Sequence, residues 1–156
     1  MKKIKITVIA AAAEYPGSAD ILDSCPEFEI IACAETLHAA GVRDAIAGSD
    51  IMVVEEAALT ARGVIELSEI RSSQPRLKFL LIADKYMENN VLDAVSLGFS
   101  GVIPRAGMRS MLRKAIPALY AGEAWVSRRL AESLRFRMLQ QDCMLPAVPT
   151  RGTRLN

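Results

Sequence analysis

Short apolar runs alternate along the chain with segments whose apolar residues recur at helical spacing. The runs are rich in β-branched residues and nearly continuous, which is typical of strands buried on both faces of a sheet. The predicted strands are Ile4–Ile9, Glu29–Cys33, Asp50–Val54, Leu77–Ala83 and Gly101–Ile103. This order predicts an α/β domain in which helices cover both faces of a parallel sheet.

Five helices are predicted between and after these strands, and glycines, prolines or capping residues mark their ends. Thr60 is a candidate N-cap, and Gly98 stands where a left-handed residue commonly closes a helix. Pro104, next to the last strand, fits only an edge strand because proline cannot donate to an interior ladder. The predicted helices are Ser18–Ser24, Thr36–Ala47, Thr60–Ser73, Asn89–Leu97 and Met108–Ala121.

A sixth helix, Ser127–Gln141, is predicted beyond this alternating unit, followed by a tail from Pro146 to Asn156. The apolar stripe of the sixth helix suits packing on the domain and suits a linker or dimerisation helix equally well. The tail carries prolines and a glycine without apolar periodicity, which is typical of a flexible linker. We therefore divide the chain into a domain at 1–123, a linker or dimerisation helix at 124–143 and a flexible tail at 144–156.

Composition restricts the class of protein further. The chain has 156 residues, 51% of them hydrophobic and 24% charged, with a net charge of +1, as in a soluble globular domain. No apolar stretch approaches the roughly 20 residues of a membrane span, and the start lacks a signal-peptide core, so we expect a cytoplasmic location without membrane association. Three widely spaced cysteines argue against a disulfide framework or a zinc site. Cys33, in an apolar run, is expected to be a small buried residue.

The residues at the carboxyl ends of the predicted strands are unusual, because ligands and catalytic groups of open parallel sheets lie there. Ala10 and Ala11 follow the first strand and begin a run of four alanines. The end of the first strand therefore has no acid, no nucleophile and no glycine-rich phosphate loop. Glu55 ends the third strand, Ala83 ends the fourth, and Arg105 follows the fifth. An enzyme of this architecture is therefore the least favoured class.

The segment from Gly98 to Ala106, the helix residues Leu112 to Ile116 and the segment from Ala121 to Ser127 resemble the second half of a response-regulator receiver domain. The resemblance is closest to the LuxR/FixJ class and extends in order and spacing over about residues 3–140. It implies a flavodoxin-like (βα)5 fold, a doubly wound parallel sheet in the order 2-1-3-4-5, with an extra C-terminal helix. It also implies a homodimer, and DNA binding only through a C-terminal domain beyond this chain.

Receivers of this family accept a phosphoryl group on an aspartate after strand 3, with Mg²⁺ held by two acids after strand 1. A Thr or Ser after strand 4 and a Lys after strand 5 contact the phosphoryl group. In this chain the acid pair corresponds to Ala10 and Ala11, the aspartate to Glu55, the hydroxyl residue to Ala83 and the lysine to Arg105. Mg²⁺ prefers several carboxylate oxygens, and arginine is a wide planar fork rather than a compact ammonium. We therefore expect a degenerate site without metal or cofactor.

Two functions are compatible with these residues. The first is a phosphorylation-independent receiver domain of a transcriptional response regulator, acting by dimerisation or by binding a protein partner. Glu55, paired with Arg105, would then mimic the phosphorylated aspartate. The second is a sensor that takes a small apolar molecule into the vacated acidic pocket beside Ala10 and Ala11.

Overall fold

In the computed structural model, which describes residues 2–11 and 17–144, five parallel strands form one sheet in the order β2-β1-β3-β4-β5. This is the predicted flavodoxin-like order. The strands are β1 (Ile4–Ile9), β2 (Phe28–Ala34), β3 (Ile51–Glu55), β4 (Lys78–Ala83) and β5 (Gly101–Pro104). Because the central strands β1, β3 and β4 are buried on both faces, their sequences are continuous apolar runs rather than alternating ones.

The helices cover both faces of the sheet. They are α1 (Ser18–Asp23), α2 (Val42–Ala47), α3 (Ala61–Ser73), α4 (Glu88–Ser96), α5 (Met108–Tyr120) and α6 (Arg128–Met144). One core layer packs α1 and α5 on the sheet through side chains such as Leu22, Val53 and Leu112, all fully buried. The helix α6 belongs to a second unit, since the chain divides between Trp125 and Val126. The predicted tail at 144–156 falls, after Met144, outside the described residues.

The predicted helix Thr36–Ala47 is wrong in its first half, because α2 begins only at Val42. Residues 36–41 form turns, and Gly41 adopts a left-handed φ of 80° that a continuous helix excludes. His38 in this turn contacts α3 instead, with 3.0 Å between its Nδ1 and the Glu66 Oε1. Arg43 of α2 approaches the other Glu66 oxygen at 3.6 Å. Side-chain contacts to α3 therefore hold a segment that the sequence pattern assigns to a helix.

The predicted N-cap of α3 is confirmed. The Thr60 Oγ1 accepts the Gly63 N–H at 3.1 Å, and Thr60 itself is extended, as an N-cap requires. Thr60→Ala is expected to lower the free energy of unfolding by about 1 kcal/mol, because one amide of the first turn loses its acceptor. Urea unfolding measures this, with Thr60→Ser as the control that keeps the oxygen. Equal stability of the alanine and serine variants would contradict the capping role.

Candidate functional site

The site positions identified in the sequence lie along the carboxyl-terminal edge of the sheet. Glu55 is the last residue of β3 and lies at this edge. Ala83, the last residue of β4, pairs with Pro104 of β5, which directly precedes Arg105. Ala10 follows β1 and hydrogen-bonds through its N–H to the Ala34 carbonyl of β2. The topology thus brings the corresponding positions to one edge, as the parallel order requires.

Glu55 is the buried polar centre of this edge, with a side chain only 4% exposed. Its Oε2 accepts two hydrogen bonds from the first residue of α1, from the Ser18 hydroxyl at 2.7 Å and from the Ser18 N–H at 3.3 Å. Its Oε1 accepts a third from the Arg105 Nη2 at 2.8 Å. Both carboxylate oxygens are therefore engaged, which a buried charge requires to offset its lost hydration.

Arg105 contacts two acids from two strand ends. Its Nη2 reaches Glu55, and its Nε donates to the Asp84 Oδ1 at 2.8 Å. Asp84 follows β4 and is half-exposed, while the Arg105 side chain is 22% exposed. The Asp84 N–H in turn donates to the Glu56 Oε1 at 3.3 Å. A planar guanidinium spans two carboxylates in this way, whereas the single ammonium of a lysine is a point charge.

The contact between Glu55 and Arg105 is the one that the sequence predicts. Ser18 is not evident in the sequence, because it lies 37 positions before Glu55 and has no feature beyond its place at the start of a predicted helix. Asp84 and Glu14 are further acids that the sequence places near this edge. The structure brings Asp84 to Arg105, and Glu14 lies outside the described residues.

Ala10 and Ala11 border a pocket of about 240 Å³ at the end of β1. Val8 contributes further apolar surface, and the carboxylates of Asp20, Glu35 and Glu55 also line the pocket. The small methyl groups leave room where longer side chains would fill the space. Among the residues that the structure describes, no group of three or more His, Cys, Asp or Glu residues is arranged to hold a metal ion.

Cys33 is not buried, contrary to expectation, but exposed, and it borders the same pocket. The cause is the position of β2 at the edge of the sheet, where Glu29, Ile31 and Cys33 alternate with more buried residues and lie on the exposed face. Desolvation raises the pKa of the Cys33 thiol, and the Asp20 and Asp23 carboxylates raise this pKa further. The neutral thiol is thereby favoured over the reactive thiolate.

The strand order defines the flavodoxin-like fold of response-regulator receiver domains. Comparison with solved structures supports this fold. A LuxR-family two-component response regulator from Aurantimonas sp. SI85-9A1 matches with a TM-score of 0.69 and 20% identity, over 89% of this chain and 99% of that one. The isolated receiver domain of RcsB from Salmonella enterica serovar Typhimurium, in the presence of phosphomimetic BeF3⁻, matches with a TM-score of 0.67 and 13% identity, over 85% of this chain and 98% of that one.

One curated protein is similar in sequence, the DNA-binding transcriptional activator DevR/DosR of Mycobacterium tuberculosis. The identity is 24% over 122 residues, which is 78% of this chain. The matched region is 56% of the relative, so the chain corresponds to little more than half of that protein. No protein-family model matches the chain. In the described ranges, 2–11 and 17–144, no helix is both long and apolar enough to cross a membrane.

Proposed function

We propose that this chain is a phosphorylation-independent receiver domain of a transcriptional response regulator. The observation that carries the proposal is the closed environment of Glu55, whose two oxygens are occupied by Ser18 and Arg105 within the sheet edge. In an ordinary receiver this position is an aspartate that attacks a phosphodonor. Here a carboxylate one methylene longer already makes the ion pair that a phosphoryl group would otherwise form.

Two features of the edge oppose phosphoryl transfer. Transfer depends on placing the donor in line with the acceptor and neutralising its charge, usually with Mg²⁺. Ala10 and Ala11 supply no oxygen ligands, so the metal lacks two of its carboxylates. Arg105 and Ser18 hydrogen-bond to the two oxygens of Glu55 and hold its carboxylate within the sheet edge. The domain therefore keeps one arrangement of this edge instead of alternating between two.

Output in this proposal runs through dimerisation or a protein partner, and DNA is contacted only through a C-terminal domain outside this chain. Support comes from the relatives: DevR/DosR is described as a DNA-binding transcriptional activator, and a solved RcsB structure contains two dimers bound to two parallel DNAs. The domain itself is not an enzyme in this proposal, uses no cofactor and works in the cytoplasm.

A direct test changes the charge of Glu55 and measures self-association. Glu55→Gln keeps the size of the side chain but removes the negative charge that Arg105 meets, so the monomer–dimer equilibrium is expected to shift measurably in sedimentation velocity experiments. The matched control is Glu66→Gln, another buried and ion-paired glutamate, which lies on α3 away from this edge. If both variants sediment like the wild type at every concentration, the proposal that Glu55 sets the signalling state is wrong.

The pocket beside Ala10 favours a second candidate, a receiver domain that senses a small molecule. Its volume of about 240 Å³ leaves room for a small ligand, and its lining of alanines beside Asp20, Glu35 and Glu55 suits a molecule with one apolar part and one polar or cationic part. Stabilisation of the chain by such a compound in a thermal-shift screen, abolished by Ala10→Leu, would favour this function over the first.

A further inference from the structure

The chain turns back to the sheet after α5. Gly122 has a left-handed φ of 92°, which glycine adopts without steric cost. The Glu123 N–H donates to the Ala118 carbonyl at 2.9 Å and closes the helix end. This turn directs the next residues, Glu123–Trp125, towards the outer edge of β5.

Trp125 forms two backbone hydrogen bonds with β5. Its N–H donates to the Ser100 carbonyl at 3.0 Å, and its carbonyl accepts the Val102 N–H at 3.0 Å. The two bonds flank Gly101, which pairs with Trp125 as an isolated parallel bridge. Trp125 therefore acts as a one-residue sixth strand on the first half of β5. Pro104, at the other end of β5, cannot donate to such a neighbour.

Gly101 makes this contact possible. A Cβ atom at Gly101 would lie 2.9 Å from the Leu80 Cδ1 and 3.2 Å from the Trp125 Cβ. The first distance is shorter than real Cβ contacts, and the second is tighter than most of them. The Trp125 side chain is half-buried and packs against the core of the α1 and α5 face. A side chain at position 101 would therefore crowd Leu80, Leu119 and Trp125. Leu80 and Leu119 are fully buried, whereas Trp125 is only half-buried at the sheet edge and has room to move away.

We propose that residues 123–125 form a releasable strap, which fixes the point at which the chain leaves the domain. Three backbone hydrogen bonds and one half-buried indole hold it: the Glu123 N–H bonds to the end of α5, Trp125 bonds twice to the sheet edge, and the side chains of Glu123 and Ala124 are exposed. Such a segment opens at a much lower free energy than the buried strands. The proposal is independent of whether Glu55 replaces a phosphoryl switch.

Release of the strap changes the tether in front of α6, which begins at Arg128. With the strap closed, only residues 126 and 127 connect the pinned Trp125 to the helix. With the strap open, the connection begins at Gly122. The strap thus sets how freely the following helix moves, and it does so through a contact that lies entirely within the first unit.

Trp125 is the only tryptophan of the chain, so its fluorescence reports the strap directly. Gly101→Ala is expected to move the emission to longer wavelength and to make it more readily quenched by acrylamide. The Val102 amide, which loses its acceptor, should exchange roughly tenfold faster. The matched control is Gly48→Ala, where a Cβ would meet only ordinary contacts of 3.7 Å or more. Unchanged quenching and unchanged Val102 exchange in Gly101→Ala would overturn the proposal.

The wild-type chain gives a second test that does not depend on the folding of any variant. In native-state hydrogen exchange at low urea, the Val102 and Trp125 amides should exchange through a local opening, so that their exchange rates depend only weakly on the urea concentration. The Val53 amide of β3 should exchange only by global unfolding, with a steep urea dependence. If all three amides follow the global dependence, the strap does not open by itself and the proposal is wrong.

Discussion

Replacement of Arg105 by alanine is expected to lower the free energy of unfolding by about 2–3 kcal/mol. The reason is the burial of Glu55: its side chain is 4% exposed, and without Arg105 its negative charge keeps only the two hydrogen bonds from Ser18. Breaking a buried ion pair is costly because the remaining charge is left without compensation. Because Arg105 is partly exposed, water can reach the ion pair. The expected loss of unfolding free energy is therefore smaller than for a fully buried pair.

Two further variants separate this effect from a general loss of surface charge. Arg105→Lys keeps the charge but cannot span both carboxylates, so we expect a smaller loss of about 1 kcal/mol. Arg62→Ala removes an arginine that is 71% exposed and lies 3.7 Å from Glu66, and its expected loss is at most about 1 kcal/mol. Urea unfolding of the three variants gives the comparison. Similar losses in Arg105→Ala and Arg62→Ala would show that the pair with Glu55 contributes nothing special.

Most of the fold follows from the sequence because its central strands are continuous apolar runs of the expected length. Breakers such as Gly98 and caps such as Thr60 add local signals that the structure confirms. The error in α2 has a physical cause: residues 36–41 favour a helix locally, but the contact of His38 with Glu66 and the left-handed Gly41 hold them in turns. Tertiary contacts can override local preference in this way, and a single sequence does not show them.

The sequence predicts those residues of the candidate site that lie at the ends of strands. Parallel strands bring their carboxyl ends to one edge, so Glu55 and Arg105 were expected to meet. The exposure of Cys33 was not predictable from its own segment, because residues 30–33 are evenly apolar and carry no polar alternation that would mark an edge strand with one exposed face. The contact of Glu55 with Ser18 depends on where α1 begins relative to β3, which sequence spacing does not determine.

The second large effect concerns phosphoryl chemistry. Incubation of the chain with acetyl phosphate and Mg²⁺ is expected to leave it unmodified, because Ala10 and Ala11 offer the metal no carboxylates and the oxygens of Glu55 are already engaged. The matched variant carries Ala10→Asp, Ala11→Asp and Glu55→Asp together, which restores the acids of an ordinary receiver. We expect Mg²⁺ to raise the thermal midpoint of this variant and to leave that of the wild type unchanged.

The most direct measurement is the intact mass of the wild-type chain after incubation with acetyl phosphate and Mg²⁺, with a phosphorylatable receiver domain treated in parallel as the reagent control. Our proposal predicts that the mass of the chain stays the same while the control gains one phosphoryl group. A gain of one phosphoryl group by the wild type, dependent on Mg²⁺ and lost in Glu55→Gln, would show that this edge still works as a phosphorylation switch and would contradict the proposal.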